Sequence, residues 1–269
     1  MLRTICCRYF QRAFLACLPI GGLAGLVGLG GGEFRLPVLT GLLRFPARAA
    51  VPLNLLVSLV TLAVAFAVRG HAVPLATLGA HGPEMAGLVL GGMASAFHGA
   101  RLVRRLSDRR LAWLIGALLF GLGLLLLAEA AFGFRDLPLV PAGADARLAA
   151  GLAIGLAVGM VSSVLGVAGG ELLIPVLMFV FGADIRTAGS ASIVISLAIV
   201  ATGLWRFHRM NAIPEGRGVQ RIAFAMSAGS VIGAAVGGLV VAVAPVLLLK
   251  VLLGAILLGV AVRSMAARP

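Results

Sequence analysis

The sequence predicts an all-α integral membrane protein made of two inverted-topology repeats. Each repeat is a broken, re-entrant-like helical hairpin followed by three transmembrane helices. Three observations lead there. The 269 residues are 61% hydrophobic and 12% charged, with a mean hydropathy of +1.12. The second half of the chain matches the first when Gly169 is laid on Gly31. Its arginines crowd into alternate connections between apolar runs.

The composition comes first. A soluble domain of this length has no core large enough for such an apolar fraction. Runs near the ~20 residues that a helix needs to cross a bilayer account for it instead. The net charge of +13 could suit nucleic acid, but the arginines lie between apolar segments, where they orient membrane proteins, and one Tyr and two Trp offer no stacking surface. Nucleic acid is therefore not an expected partner, and the lipid bilayer is. Cys6, Cys7 and Cys17 cluster at the start, which excludes a disulfide framework. Arg3, Arg8 and Arg12 before an apolar stretch resemble a signal-peptide start, but no clear small-residue cleavage site follows, so an uncleaved first helix is expected.

The repeat holds without a gap from residue 21 to about residue 121. Gly31-Gly32-Glu33 falls on Gly169-Gly170-Glu171, and Pro37-Val38-Leu39 on Pro175-Val176-Leu177. Gly28, Arg48 and Ser58 fall on Gly166, Arg186 and Ser196. Matches of Leu, Ala and Gly come by chance in such a composition; Glu, Pro and Arg in one register do not. The chain divides into an N-terminal repeat over 1–132, an extracytoplasmic linker over 133–147 and a C-terminal repeat over 148–269. Each repeat opens on a long apolar stretch interrupted by glycine and glutamate, 13–43 and 148–183. Three plain spans follow in each, roughly 49–68, 84–100 and 111–132, then 187–205, 222–243 and 246–262.

The interrupted stretches are too long for one crossing and short for two. Each reads as a helix that enters, breaks at the glycines and returns to the same side. That leaves three net crossings per repeat, an odd number, so the second half must be inverted. With the amino terminus inside, the inside segments 1–12, 44–48, 101–110, 206–221 and 263–269 hold 16 of the 22 basic residues. The outside segments hold Arg69, Arg135, Arg147 and Arg186, which is the bias the positive-inside rule expects. Residues 101–110 carry five arginines and their partners 239–248 no charge. Equivalent loops of opposite bias follow from inversion and not from a parallel repeat. The expected location is the inner cell membrane, multi-pass, with both termini cytoplasmic.

The segment from Gly28 to Pro37 and its partner from Gly166 to Pro175 carry the candidate chemistry. Glycine lets a ligand approach the backbone closely, and broken backbone inside a bilayer is tolerated where it lines a cavity. Matching breaks in two inverted halves are a recurrent design of secondary transporters, and amides at a half-helix start suit an anion. The run lacks the strand and lysine of a phosphate loop. The candidate binding residues are Gly30, Gly31, Gly32 and Glu33 with Gly169, Gly170 and Glu171, joined by Asn54, Ser58, Ser190, Ser192 and Ser196 on the following spans. Glu33 and Glu171 read either as carriers of a coupling proton or as caps of the half-helices. The amide and hydroxyls read either as ligand contacts or as helix–helix bonds. Arg35, opposite Leu173 in the register, could pair with Glu33, attract an anion or snorkel to the cytoplasm. The four histidines are scattered, so neither a metal site nor a cofactor is expected.

The pattern Gly-x-x-Gly-x-Gly-Gly-Gly, four residues, then Pro-x-Leu, from Gly25 to Leu39 and again in the second half with Ser163 in place of the opening glycine and Ala168 in place of the first triplet glycine, resembles the TauE/SafE family of sulfite and organosulfonate exporters. The likeness runs over about residues 12–262. Family members often carry Thr-Ser or Thr-Asn after the proline segment; Leu53-Asn54 and Ala191-Ser192 stand there. The resemblance implies a permease for a small anion such as sulfite, an organosulfonate or a related metabolite. Combined with the residues, it gives the expectation of alternating access, with protons as a coupling partner and a homodimer left open. Three rivals remain at this point: a permease for another small ion such as a metal cation, a membrane enzyme, and a non-transporting membrane partner protein. An enzyme is not expected, because no nucleophile–base pair or metal cluster is visible.

Overall fold

The computed structural model describes residues 2–72, 78–102, 108–132, 139–141, 143–165 and 167–266. The first half contains α1 (Leu2–Val27), α2 (Gly32–Pro37), α3 (Ala47–Ala72), α4 (Gly82–Leu102) and α5 (Asp108–Phe132). The second contains α6 (Ala144–Leu165), α7 (Gly170–Pro175), α8 (Ile185–Arg209), α9 (Arg217–Val240) and α10 (Val246–Ala266). The protein is all-α among the described residues, as a bilayer requires of a chain that must satisfy its backbone internally. Among the described residues, five helices are long and apolar enough to cross a membrane: α1 over Tyr9–Val27, α3 over Ala49–Gly70, α6 over Ala144–Ser162, α8 over Ile185–Arg209 and α9 over Arg217–Val240. Helices α5 and α10 add shorter apolar stretches, Leu119–Phe132 and Val246–Val262.

The helices extend beyond the spans expected from hydropathy. Helix α8 starts at Ile185 because Asp184 caps it, accepting from the backbone N–H of Arg186 at 3.0 Å and of Thr187 at 3.2 Å. Its last turn carries Arg206, His208 and Arg209, which complement the negative end of the helix dipole. Residues 206–209, expected in a loop, are therefore helical, and α6 begins inside the expected linker, at Ala144. Residues 103–107 and 133–138, within the expected 101–110 loop and the linker, lie outside the described residues, as does Gly166.

The breaks fall where the glycines place them, and the local geometry repeats. Gly31 (φ 68°) precedes α2 and Gly169 (φ 74°) precedes α7, both left-handed. Each short helix ends on a proline, Pro37 or Pro175, and passes into a π-helical turn, Val38–Leu42 or Val176–Val180. A proline removes a donor from the helical ladder, and a wider turn takes over, with Leu43 N–H donating to Val38 O at 2.8 Å. The return then closes alike: Phe45 N–H donates to Leu39 O at 2.8 Å, and Ala183 N–H to Leu177 O at 2.9 Å. Arg44 (φ 55°) and Gly182 (φ 73°), which face each other in the repeat register, are both left-handed.

Packing repeats too. Helix α1 lies along α9, and α4 along α6, so each half's first helix packs on the other half's fourth. Both pairs run parallel. Phe14, Leu18 and Gly22 meet Gly229, Gly233 and Gly237, while Glu84, Leu88 and Gly92 meet Gly151, Gly155 and Gly159. Glycine at every fourth position lets these backbones approach without side chains between them. The equivalent helices α3 and α8 cross the middle antiparallel: Leu55 lies beside Gly203, and Arg69 beside Ser190. Helices α5 and α10 are likewise antiparallel, with Gly123 beside Leu258 and Glu129 beside Lys250.

Candidate functional site at the crossed breaks

The two breaks touch. A side chain at Gly30 would overlap Cβ of Ala168, one at Gly32 would meet Val167 at 2.7 Å, and one at Gly170 would meet Cα of Leu29 at 3.2 Å. Gly30–Glu33 and Gly169–Glu171 are thus brought together as the sequence suggests, with almost no side-chain bulk between them.

Glu33 and Glu171 stand at the second position of α2 and α7, within electrostatic reach of each other. The N-cap positions are Gly31 and Gly169, whose lack of a side chain leaves no cap of their own. Both carboxylate oxygens of Glu33 and Oε2 of Glu171 are buried without a hydrogen-bond partner. Glu171 is buried and Glu33 half-buried. Glycine in the left-handed region takes the cap position, and Glu171 accepts a backbone N–H bond, its own, in the first turn of α7.

The neighbouring polar residues hold the breaks in place. Asn54 Nδ2 donates to Gly32 O at 3.1 Å. Ser192 Oγ, at the equivalent position in α8, donates to Gly28 O at 2.7 Å, reaching across to the other half's break. Ser196 Oγ donates to Ala168 O at 3.0 Å, and Ser162 Oγ to Val167 O. Unwound backbone carries free carbonyls, and at this depth they must find partners. Ser58 accepts from Arg35 Nη1 at 3.2 Å. Ser190 stands apart from the breaks: it donates to Arg186 O at 3.0 Å and accepts from Arg69 Nε at 3.2 Å.

Two arginines differ from their sequence reading. Arg35 is fully buried, so it does not snorkel. Among the described residues it forms no ion pair with Glu33; its Nη2 donates to Gly30 O instead. Arg69, expected in an outside loop, is buried at the end of α3. It donates to Gly25 O at 2.9 Å, Leu26 O at 3.0 Å and Arg186 O at 3.1 Å. It thereby holds the last carbonyls of α1 where that helix breaks. The signal was present in the register. Position 69 aligns with Phe207 and position 35 with Leu173, so both arginines break the repeat. The first break is held by two guanidinium groups together with Asn54 and Ser192, and the second by the hydroxyls of Ser162 and Ser196.

A cavity of about 140 Å³ opens beside the second break, lined by Leu55, Ala96, Ser162, Ile199, Gly203 and Phe207, with Arg206 and Met210 at its rim. Arg206 Nη1 donates to Ala96 O at 3.3 Å. Nearby, Phe97 and Trp205 stack at 5.8 Å, and Arg209 lies over the Trp205 ring at 4.8 Å. Aromatic and arginine side chains at a helix end are usual at a membrane–water interface. Among the described residues, no three His, Cys, Asp or Glu side chains are grouped to hold a metal ion.

Paired broken helices between apolar spans make this a membrane transporter by architecture. The chain belongs to the sulfite exporter TauE/SafE family, whose model matches residues 7–126 and 151–269. No curated protein and no solved structure matches it.

Proposed function

We propose that the chain is a permease for a small sulfur-type anion, sulfite or an organosulfonate, working by alternating access around the crossed breaks. The observation that carries this reading is the meeting of Gly30–Glu33 with Gly169–Glu171, one break from each half, with only the small side chains of Ala168 and Val167 and the amide of Asn54 against the glycine backbone. An anion there would meet main-chain amides at the starts of α2 and α7. The antiparallel run of α3 against α8 supports the inverted arrangement, because equivalent spans that cross in opposite directions belong to repeats of opposite orientation. With both termini cytoplasmic, the arginine bias and this antiparallel crossing agree.

The two acids bear on coupling. Two ionised carboxylates facing each other, away from water, repel each other and any anion that approaches. A proton shared between Glu33 and Glu171 removes both penalties. Binding of the anion and of the proton would then be linked, and Glu171, the more deeply buried of the two, is the residue through which the linkage runs. The metal-cation reading has less support, since the described residues group no third acid or histidine with this pair.

The test is flux in proteoliposomes. Purified protein should carry sulfite or sulfoacetate, saturably and faster with an inward proton gradient. Proteoliposomes no more permeable than protein-free vesicles to every anion in that series would reject the permease.

A further inference from the structure

The two halves are equivalent in sequence register but not in the space they enclose. In the register that lays Gly31 on Gly169, the positions equivalent to Leu55, Ser162, Ile199 and Gly203 are Ile193, Ala24, Thr61 and Ala65. All four are buried. The position equivalent to Phe207 is Arg69, whose guanidinium fills that region and ties α1, α3 and α8 together through Gly25 O, Leu26 O, Arg186 O and Ser190. One side of the crossed breaks therefore opens into a cavity and the other holds an arginine.

The open side has the chemistry of an anion port. Its floor is Ser162, whose hydroxyl is bonded to Val167 O in the second break. Its walls are apolar, and its single charge is the half-buried Arg206, which uses Nη1 on Ala96 O. A guanidinium with donors to spare, in surroundings of low polarity, attracts an oxyanion more strongly than it would in water. A volume of about 140 Å³ holds a small oxyanion with part of its hydration, since a water needs only ~10–15 Å³ by the same measure.

We propose that this cavity is a waiting site for a small oxyanion, taken up from the membrane face that carries Arg206 and held by that guanidinium before it reaches the crossed breaks. The proposal rests on the permease reading above. Arg206 sets affinity from its own face only, because an anion arriving from the opposite face reaches the crossed breaks on the Arg69 side without passing the cavity.

The test compares apparent KM for sulfoacetate from the two faces in proteoliposomes of one orientation. Arg206→Gln should raise KM on the Arg206 face about tenfold, the worth of one hydrogen bond to a charged group. The maximal rate and the KM on the opposite face should stay near wild type, and Arg206→Lys should recover most of the loss. A merely structural Arg206, bracing Ala96 O, would change both faces alike. An equal change on both faces, or none, overturns the proposal while wild-type flux leaves the permease reading standing. Absence of wild-type flux removes the permease reading itself, and this proposal with it. If Arg206→Gln does not reconstitute, Gly203→Cys replaces it, in a background with Cys6, Cys7 and Cys17 changed to Ser. A Cβ there makes only an ordinary contact, 3.5 Å from Leu55, so the variant should fold. Sulfoacetate should slow its alkylation by N-ethylmaleimide, and no protection overturns the proposal.

Discussion

Arg69 holds Gly25: the guanidinium at the end of α3 donates at 2.9 Å to a carbonyl in the last turn of α1. Its other bonds reach Leu26 and Arg186 carbonyls and the Ser190 hydroxyl, so one side chain fixes the end of one helix and the start of another. Arg69→Leu leaves those buried carbonyls without a donor. A loss of about 3 kcal/mol or more is expected, given ~1.5–3 kcal/mol for each bond from a charged donor and incomplete additivity. Denaturation of the purified variant in mixed detergent measures it. Arg69→Lys should recover only part, because an ammonium cannot span the four acceptors. A variant as stable as wild type would mean that water enters and replaces the guanidinium.

The glycines at the breaks are expected to differ sharply from glycines elsewhere. Gly30→Ala adds a methyl that would overlap Cβ of Ala168, forcing the two breaks apart. Transport should be lost while the protein still inserts and purifies. Gly31→Leu and Gly169→Leu should do the same, for a different reason: both positions are left-handed, where a side chain costs roughly 1–2 kcal/mol. Gly41→Ala, with open space around it, is the control and should behave as wild type. Normal flux by Gly30→Ala would place the route away from the crossed breaks.

Glu171→Gln separates proton linkage from architecture. The amide keeps the shape of the acid but cannot take up and release a proton. Flux driven by a proton gradient should disappear, while exchange of labelled substrate at equal concentrations should continue. Glu33→Gln should show the same pattern more weakly, since Glu33 is less deeply buried. Gradient-driven flux unchanged in Glu171→Gln removes this acid from the coupling.

Lys250 and Glu129 form an ion pair between α10 and α5, the two antiparallel helices farthest along their repeats. Lys250→Leu alone leaves a mostly buried carboxylate unpaired, and a loss of ~3–5 kcal/mol is expected. Lys250→Leu combined with Glu129→Leu should recover most of that loss, because an apolar pair needs no compensation in a bilayer. A double variant as unstable as the single one would show that the helices are held by something other than charge.

The sidedness is testable with single cysteines in a background lacking Cys6, Cys7 and Cys17. Glu215 follows α8 and Asp145 opens α6, and both are exposed. Glu215→Cys should react with an impermeant thiol reagent only from the cytoplasm and Asp145→Cys only from outside. Labelling of both from the same side would contradict the inverted arrangement.

Much of this was legible in the residues. The repeat register placed the glycine breaks, the prolines and the return turns, because backbone geometry demands particular residues there: Gly31 and Gly169 for a left-handed cap, Pro37 and Pro175 before the wider turn. Side-chain partners were less visible. Asn54, Ser192 and Ser196 read either as ligand contacts or as bonds between helices; they bond main-chain carbonyls of the breaks, a choice set by which helices cross and not by residue type. Arg69 resembled a loop residue because hydropathy ends a span at the first charge. Only the mismatch with Phe207 marked it. The cavity was out of reach for sequence reading, since its walls come from α3, α4, α6 and α8.

The pairing of α1 with α9 has a consequence for how the protein is made. The glycine-lined face of α1 enters the membrane early and ends at Val27, but its partner begins only at Arg217, after most of the chain has been made. At ~5–20 residues per second the ribosome needs roughly 10–40 s to supply it. Throughout that interval Gly21, Gly22 and Gly25 face lipid or the insertion machinery. The first half is thus a repeat by sequence but not an independent folding unit, and it is held unfinished until the second half threads alongside it. A chain stopped after α8 should be inserted yet degraded quickly, and supplying α9 and α10 as a separate polypeptide should rescue it.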